Sequence, residues 1–289
     1  MDIFLICVST VLFSLQFLMQ DKFQKNEGTT FSKTIICSFF GSIAGILLLF
    51  LIEGFCFEVK TFSIILAFVT TIQNLIMIYC GIKVLSYGNL SLYSLFNMIG
   101  GMLIPFLFGI IFYEEPITWQ KCVCVVLVTA ALFIGSPKSK KENKIKSILP
   151  FALTIFFLNG LSGVFSKIHQ SVGELATSAE AYTMWQRIFT ILICLIYFAV
   201  IAYKKEKIIL NKPVPSILLS SGNVALNMVA NLLLLYALLT VDASIQYPIV
   251  TGGVIVLSMI TDWILKQKPS KKVIFASVLT IFGLTILII

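Results

Sequence analysis

Long apolar runs broken by short polar turns fill this chain of 289 residues from end to end. Ten runs stand out, at about 2–20, 30–52, 61–85, 89–112, 118–135, 147–168, 178–203, 213–239, 243–265 and 271–289. A helix rises ~1.5 Å per residue and the hydrocarbon core of a bilayer is ~30 Å thick, so each run can cross it. The shorter ones would stand upright and the longer ones would tilt. No water reaches the bilayer core, so the backbone must satisfy its own hydrogen bonds, and the runs are helices. The polar stretches between them are short, the longest being 21–29 and 136–146 (SPKSKKENKIK). The pattern predicts an all-α integral membrane protein with ten transmembrane helices.

The two halves of the chain resemble each other. Residues 89–118 and 242–270 both run from a Ser, through a Gly-Gly pair in an apolar helix, to a polar turn with a proline and Thr or Ser. Gly100-Gly101 aligns with Gly252-Gly253 within one residue. The division predicts a first five-helix repeat over 1–136, a basic connector over 137–146 and a second five-helix repeat over 147–289. Five helices is an odd number, so the two copies would lie in opposite orientations, as in many transporters built from inverted repeats.

Composition agrees with the membrane reading. Of the residues, 58% are hydrophobic and 12% charged, with a mean hydropathy of +1.01. A soluble domain carries about 25% charged residues. The net charge of +8 raises the possibility of nucleic-acid binding, but the lysines sit in the loops, so no nucleic-acid partner is expected. The loops after spans 1, 3, 5, 7 and 9 hold 17 of the 21 basic residues. Lys60, Lys121, Lys167 and Arg187 lie towards the other side. Lysine and arginine accumulate in cytoplasmic loops, which predicts an inward connector and outward termini. The first run, Asp2 to Gln20, lacks a basic start and a small-residue cleavage site, so it reads as a span and not a secretory signal. Lysine-rich, arginine-poor usage points to an AT-rich bacterial genome and hence to the cell membrane of a bacterium.

Candidate chemistry lies in the few polar residues inside the runs. Asn223, Asn227 and Asn231 are spaced by four. Each step of four turns through only ~40° beyond a full circle, so the three share an arc of ~80° over ~12 Å of helix. An unpaired amide in hydrocarbon costs about 2–7 kcal/mol, so the stripe cannot face lipid. It is either interhelical glue or the wall of a wet cavity, and three in a row favour the cavity. Gln73 and Asn74 align with Asn227 under the repeat. Asn97, Asn159, Ser162, Gln16, Gln246 and Tyr247 are further polar positions inside spans. Together they suggest a substrate cavity between the repeats near the bilayer midplane.

Arg187 is the single arginine. It is read either as a contact for an anionic part of a substrate or as an end-of-helix residue that snorkels or pairs with Glu180. His169, the single histidine, is read as interfacial. The carboxylates lie at span ends; only Asp262 lies a little inside, where Lys266 can pair with it. That leaves no obvious central proton carrier. The cysteines show no metal or disulfide spacing, and no nucleophile elbow, phosphate loop or dinucleotide motif is present, so neither a metal, a cofactor nor an enzyme activity is expected. Gly41 and Gly45 form a GxxxG for close helix packing. Pro105 and Pro248 predict kinks in spans 4 and 9.

FYEEPITWQ (112–120) and YPIVTGGVIVLSMITDWILKQKPS (247–270) carry a resemblance. With ten spans in two repeats, the chain resembles the EamA-type members of the drug/metabolite transporter superfamily. Glu115, three residues before Thr118, matches an acidic turn position of that family; Gln267, three before Ser270, stands where the second repeat would carry the acid. NGLSGVFSKIHQ (159–170) and the arginine early in span 7 also look like the second-repeat pattern. The resemblance implies a helical bundle with a central cavity and alternating access for small metabolites. The small multidrug relatives depend on a glutamate in the first helix, and span 1 has Gln16 and no carboxylate there.

The expected function is a secondary carrier for a small polar or amphipathic metabolite, with Asn223, Asn227, Asn231, Gln73, Asn74, Asn97, Asn159, Arg187 and Tyr247 as candidate substrate contacts. Its partners would be the small-molecule substrate and the lipid bilayer, and it would act as a monomer or homodimer. A non-transporting membrane subunit would have a dry interior; a lipid-linked flippase would have a cavity open sideways to the bilayer.

Overall fold

The computed structural model describes residues 2–28, 30–54, 57–86, 90–135, 145–205, 208–264 and 269–288. They form ten α-helices: α1 (Asp2–Glu27), α2 (Phe31–Glu53), α3 (Thr61–Ser86), α4 (Leu90–Phe112), α5 (Trp119–Gly135), α6 (Ile145–Ser171), α7 (Ala179–Tyr203), α8 (Pro213–Ala237), α9 (Ala243–Ile264) and α10 (Lys271–Ile288). One 3-10 turn, Gly173–Leu175, precedes α7. There is no strand among the described residues. α1 to α4 and α6 to α9 are long and apolar enough to cross a membrane, and α5 is a shorter apolar helix of 17 residues. Phe4, Leu51, Phe112, Ile196 and Phe282 face outward, as suits a lipid-facing surface. The protein is therefore an all-α, multi-pass membrane protein.

The bounds differ from the hydropathy reading chiefly in α1, which continues through 21–27, a stretch that reads as a loop by polarity. Asp21 and Lys25 pair at i, i+4, Phe23 is buried, and Glu27 is held by α8. Those contacts turn a polar tail into a helical extension. The connector over 137–146 lies largely outside the described residues, as do the Asp262–Lys266 pair and Gln267.

α1 packs on α8 and α9, and α6 packs on α3 and α4. α2 lies against α7 and α8, α3 against α7, α4 against α9, and α5 against α10. Glycines set the tightest crossings. A side-chain carbon at Gly100 on α4 would overlap the Phe156 backbone on α6, and one at Gly41 on α2 would overlap Val224 on α8. Small residues let helix backbones approach where no hydrophobic force separates protein from lipid. The GxxxG at Gly41 thus serves the α2–α8 contact. Pro105 and Pro248 lie inside α4 and α9, and Pro150 lies inside α6.

Loop contacts sort the helix ends. Glu27, after α1, accepts hydrogen bonds from the Asn211 and Lys212 amides before α8 at 2.7 and 2.8 Å. Lys60, before α3, donates to the Glu174 and Ala176 carbonyls before α7, each at 2.7 Å. Glu115, after α4, accepts from the Ala243 and Ser244 amides that open α9, at 2.9 and 2.8 Å. Successive connections therefore alternate between two ends of the bundle. The ends of α1 and α7 belong to the lysine-rich end; the ends of α2, α4, α6 and α8 belong to the opposite end.

Candidate substrate cavity

A cavity of about 330 Å³ lies within the bundle. Its wall draws on α1, α3, α4, α6, α7, α8 and α9. Asn74, Asn97, Asn159, Arg187, Asn227, Asn231 and Tyr247 all line it. Most sit well inside their helices: Asn74 near the middle of α3, Asn159 near the middle of α6, and Asn227 near the middle of α8. Gln16 and Ser162 also border the space.

Two candidate contacts stand outside the wall. Asn223 donates to the Gln20 side chain on α1, towards the lysine-rich end. It lies two spacings of four from Asn231, ~12 Å along the helix, which carries it past the end of the cavity. Gln73 donates to the Leu158 carbonyl and to Ser162 Oγ, the latter at 2.9 Å. It is one residue, or ~100°, round α3 from Asn74, so it points at α6 while its neighbour points at the cavity. Both residues tie helix to helix.

The residues on the wall differ in how they are held. Tyr247 donates its hydroxyl to the Gly163 carbonyl at 3.1 Å. Asn159 donates to the Asn97 carbonyl at 2.6 Å, and Asn231 donates to the Asn227 carbonyl at 2.7 Å. The side chains of Asn74 and Asn227 make no hydrogen bond to any described residue. Asn97 Oδ1 is buried without a partner. Arg187 forms no ion pair with a described residue, and its buried Nε has no acceptor. It sits in the third turn of α7 and neither snorkels to the helix end nor pairs with Glu180. Its aliphatic stem passes α2 at Gly45.

Aromatic and thioether side chains complete the wall. Phe13 and Phe17 come from α1, Tyr93 and Met98 from α4, and Met77 from α3. Spacing carries some of this pattern. Tyr182, Thr183, Gln186 and Arg187 recur at i, i+1, i+4 and i+5 on α7, and Thr70, Asn74 and Met77 recur at i, i+4 and i+7 on α3. Those are single helix faces, and the stripe on α7 was readable beside Arg187. The contribution of Phe13 and Phe17 had no signal in an apolar span, because a phenyl ring on lipid and one on a cavity look alike in sequence.

Tyr182 lines the cavity near the start of α7. It is buried and stacks on His169, with ring centroids 4.0 Å apart at 20°. Its hydroxyl meets Thr70 Oγ1 at 3.0 Å. His169 meets Ser63 Oγ at 3.0 Å and is only 1% exposed, so near the end of α6 it is packed within the protein. A smaller hollow of about 60 Å³ lies towards the lysine-rich end, bordered by Gln20, Gln24, Thr34 and Tyr93. Tyr93 borders both spaces.

No known family description and no curated protein matches the chain. A solved structure known only as the crystal structure of a protein matches with a TM-score of 0.75 and 12% identity, over 100% of this chain and 98% of that one. At that identity the likeness is one of fold alone: a helical bundle shared over its whole length.

Proposed function

We propose that the protein is a secondary carrier that moves a small polar or amphipathic metabolite across the membrane by alternating access. The observation that carries this is a set of polar side chains without a partner among the described residues, Asn74, Asn227 and Arg187, on the wall of an internal cavity. Most polar groups that serve packing alone are paired, because leaving them bare inside an apolar bundle costs free energy. Groups left free at mid-helix depth are available to a ligand. A volume of about 330 Å³ suits a small metabolite.

The packing pattern supports ten spans in two inverted repeats. Exchange α1 with α6, α2 with α7, α3 with α8, α4 with α9 and α5 with α10. The contact of α1 with α8 becomes that of α6 with α3, α4 with α6 becomes α9 with α1, and α2 with α8 becomes α7 with α3. The contacts of α2 with α7, α4 with α9 and α5 with α10 map onto themselves. The cavity then lies on the axis that relates the copies, where such transporters bind substrate. The resemblance to EamA-type carriers points the same way. With α5 and α10 crossing as well, both termini lie outside and the lysine-rich end faces the cytoplasm of a bacterial cell. Tyr182 and His169 would then seal the outer end in the state described here, and Tyr93 would guard the path inwards.

Thermal unfolding of the purified protein across a metabolite panel, with Asn227→Leu alongside, tests the reading. A ligand at ~100 times its dissociation constant stabilises the folded state by about 2.7 kcal/mol. The expected result is a ligand that shifts the wild type and not the variant, and whose labelled form enters proteoliposomes only when they contain wild-type protein. A bound ligand that never crosses the membrane would reject transport.

A further inference from the structure

On the carrier reading above, we propose that the transported solute is a small organic monoanion, a monocarboxylate without a free amine, whose carboxylate is held by Arg187. The charge count of the cavity leads there. Among the described residues on its wall, Arg187 is the single lysine, arginine, histidine, aspartate or glutamate. The wall therefore carries one positive charge and nothing to balance it.

Four of the described carboxylates are held away from the cavity. Glu27 holds the amides before α8, Glu58 accepts from the Ser178 amide at 3.0 Å, and Glu115 holds the start of α9. Asp242 pairs with Lys121 at 2.9 Å. Each is tied to a helix end. A guanidinium kept only for packing would be paired, because a lone charge away from water is costly. Here the counter-charge has been left for the ligand.

Geometry selects the anion. The Arg187 stem lies beside Gly45, where a side-chain carbon would stand 3.7 Å from its Cδ. Arg187 shares its face of α7 with Thr183, four residues before it, which also borders the cavity. A guanidinium offers two parallel N–H groups that match the two oxygens of a carboxylate. The remaining wall offers neutral amides, at Asn74 and Asn227, and apolar rings, at Phe13, Phe17 and Tyr93. Amides suit hydroxyl or keto groups, and the rings suit a hydrocarbon or aromatic tail. A second negative charge finds no cation, and an ammonium group finds no carboxylate. Dianions and zwitterionic amino acids are thus disfavoured against a monocarboxylate of the same size.

The test pairs acids with their neutral twins. Thermal unfolding of purified protein is followed with lactate, benzoate, phenylacetate and phenyllactate, each beside its primary amide, and with phenylalanine as the zwitterion. At least one acid should raise the melting temperature while its amide and phenylalanine do not. Arg187→Gln should weaken that acid at least tenfold, and Arg187→Lys, which keeps the charge but loses the planar fork, should fall between. Should Arg187→Gln fail to fold, the acid–amide comparison in wild type and the Arg187→Lys value decide. Amides that bind as well as acids, an acid bound equally by Arg187→Gln, or no response to any acid would overturn the proposal. Proteoliposome exchange separates this from the carrier reading. A neutral solute exchanged equally by wild type and Arg187→Gln would sink the anion proposal and keep the carrier. An acid that binds through Arg187 but is never exchanged would do the reverse.

Discussion

Removing the Glu115 carboxylate should loosen the end of the bundle where the two halves meet. Its two oxygens accept from the Ala243 and Ser244 amides at 2.9 and 2.8 Å, and Lys167 lies 3.2 Å from Oε1. A negative group at a helix start satisfies free N–H groups and opposes the positive end of the helix dipole. Losing one cap costs about 0.5–2 kcal/mol, and breaking a buried pair by removing one partner costs about 3–5 kcal/mol. The two terms overlap, since the same oxygens serve both, so Glu115→Ala should cost about 3–5 kcal/mol in all. Glu115→Gln keeps one acceptor oxygen and loses the charge, for about 1–2 kcal/mol. Lys167→Met leaves the buried carboxylate on both amides and removes only its counter-charge, so it should cost about 1–3 kcal/mol, clearly less than Glu115→Ala. Unfolding by SDS from mixed micelles gives the three values on one scale. A cost for Lys167→Met equal to that of Glu115→Ala would refute the capping argument, because the ion pair alone would then explain Glu115. So would a Glu115→Ala protein as stable as wild type.

Asn223→Leu and Asn227→Leu should separate glue from site. The first removes the bond to Gln20 and should lower stability by about 0.6–2 kcal/mol with ligand affinity unchanged, while the second should abolish ligand binding with stability nearly intact; unfolding and ligand titration of both variants read this directly. Gly100→Ala pushes a methyl group into the Phe156 backbone and should cost at least 1–3 kcal/mol by overpacking, roughly as such insertions do in cores, whereas wild-type stability would mean that α4 and α6 separate freely. Reporter fusions at either terminus that are active outside the cell and silent in the cytoplasm are expected; the opposite pattern would reverse the orientation taken from loop charge.

The helices were legible because every one carries its own apolar signal, and the cavity was legible where amides interrupt that signal at mid-span. Asn74, Asn97, Asn159 and Asn227 could be named from position alone. Asn223 and Gln73 could not be told from them, because an amide that bonds a neighbouring helix and one that faces water have the same sequence signature. Only the rotation of α3 and the length of the cavity along α8 separate them. The packing of His169 was hidden for a related reason: proximity to a span end said nothing of its neighbours, and after the 3-10 turn Gly173–Leu175 the chain brings Tyr182 onto its ring. Glu115 shows the opposite case. Its turn motif was visible, and its partners, 128 and 129 residues away, were not.

Two polar clusters at opposite ends of the bundle occupy matching places under the proposed exchange of repeats, and they lead to a last prediction. At the lysine-rich end, Glu27 joins the α1–α2 turn to the start of α8 through the Asn211 and Lys212 amides, with Ser216 Oγ at 2.7 Å and Lys33 Nζ at 2.9 Å. At the other end, Ser63 and Lys60 at the start of α3 hold the α6–α7 connection. Ser63 Oγ accepts from the Thr177 amide at 2.9 Å, and Lys60 holds two carbonyls. In that proposed exchange α3 and α8 are partners, and so are the two connections. A carrier that opens one end at a time needs two such latches, of which the motion releases one while the other holds. Weakening either should bias access towards its own end. With the seven natural cysteines replaced and one cysteine placed at Asn231, Glu27→Gln should speed labelling by a membrane-impermeant reagent from the lysine-rich side. Ser63→Ala combined with Lys60→Met should speed it from the opposite side. Each change removes charge-assisted or buried bonds worth about 1–3 kcal/mol, enough to move a two-state balance by roughly 5- to 150-fold. Labelling that rises equally from both sides would mean that the clusters merely hold the bundle together, and the symmetry between them would have no part in transport.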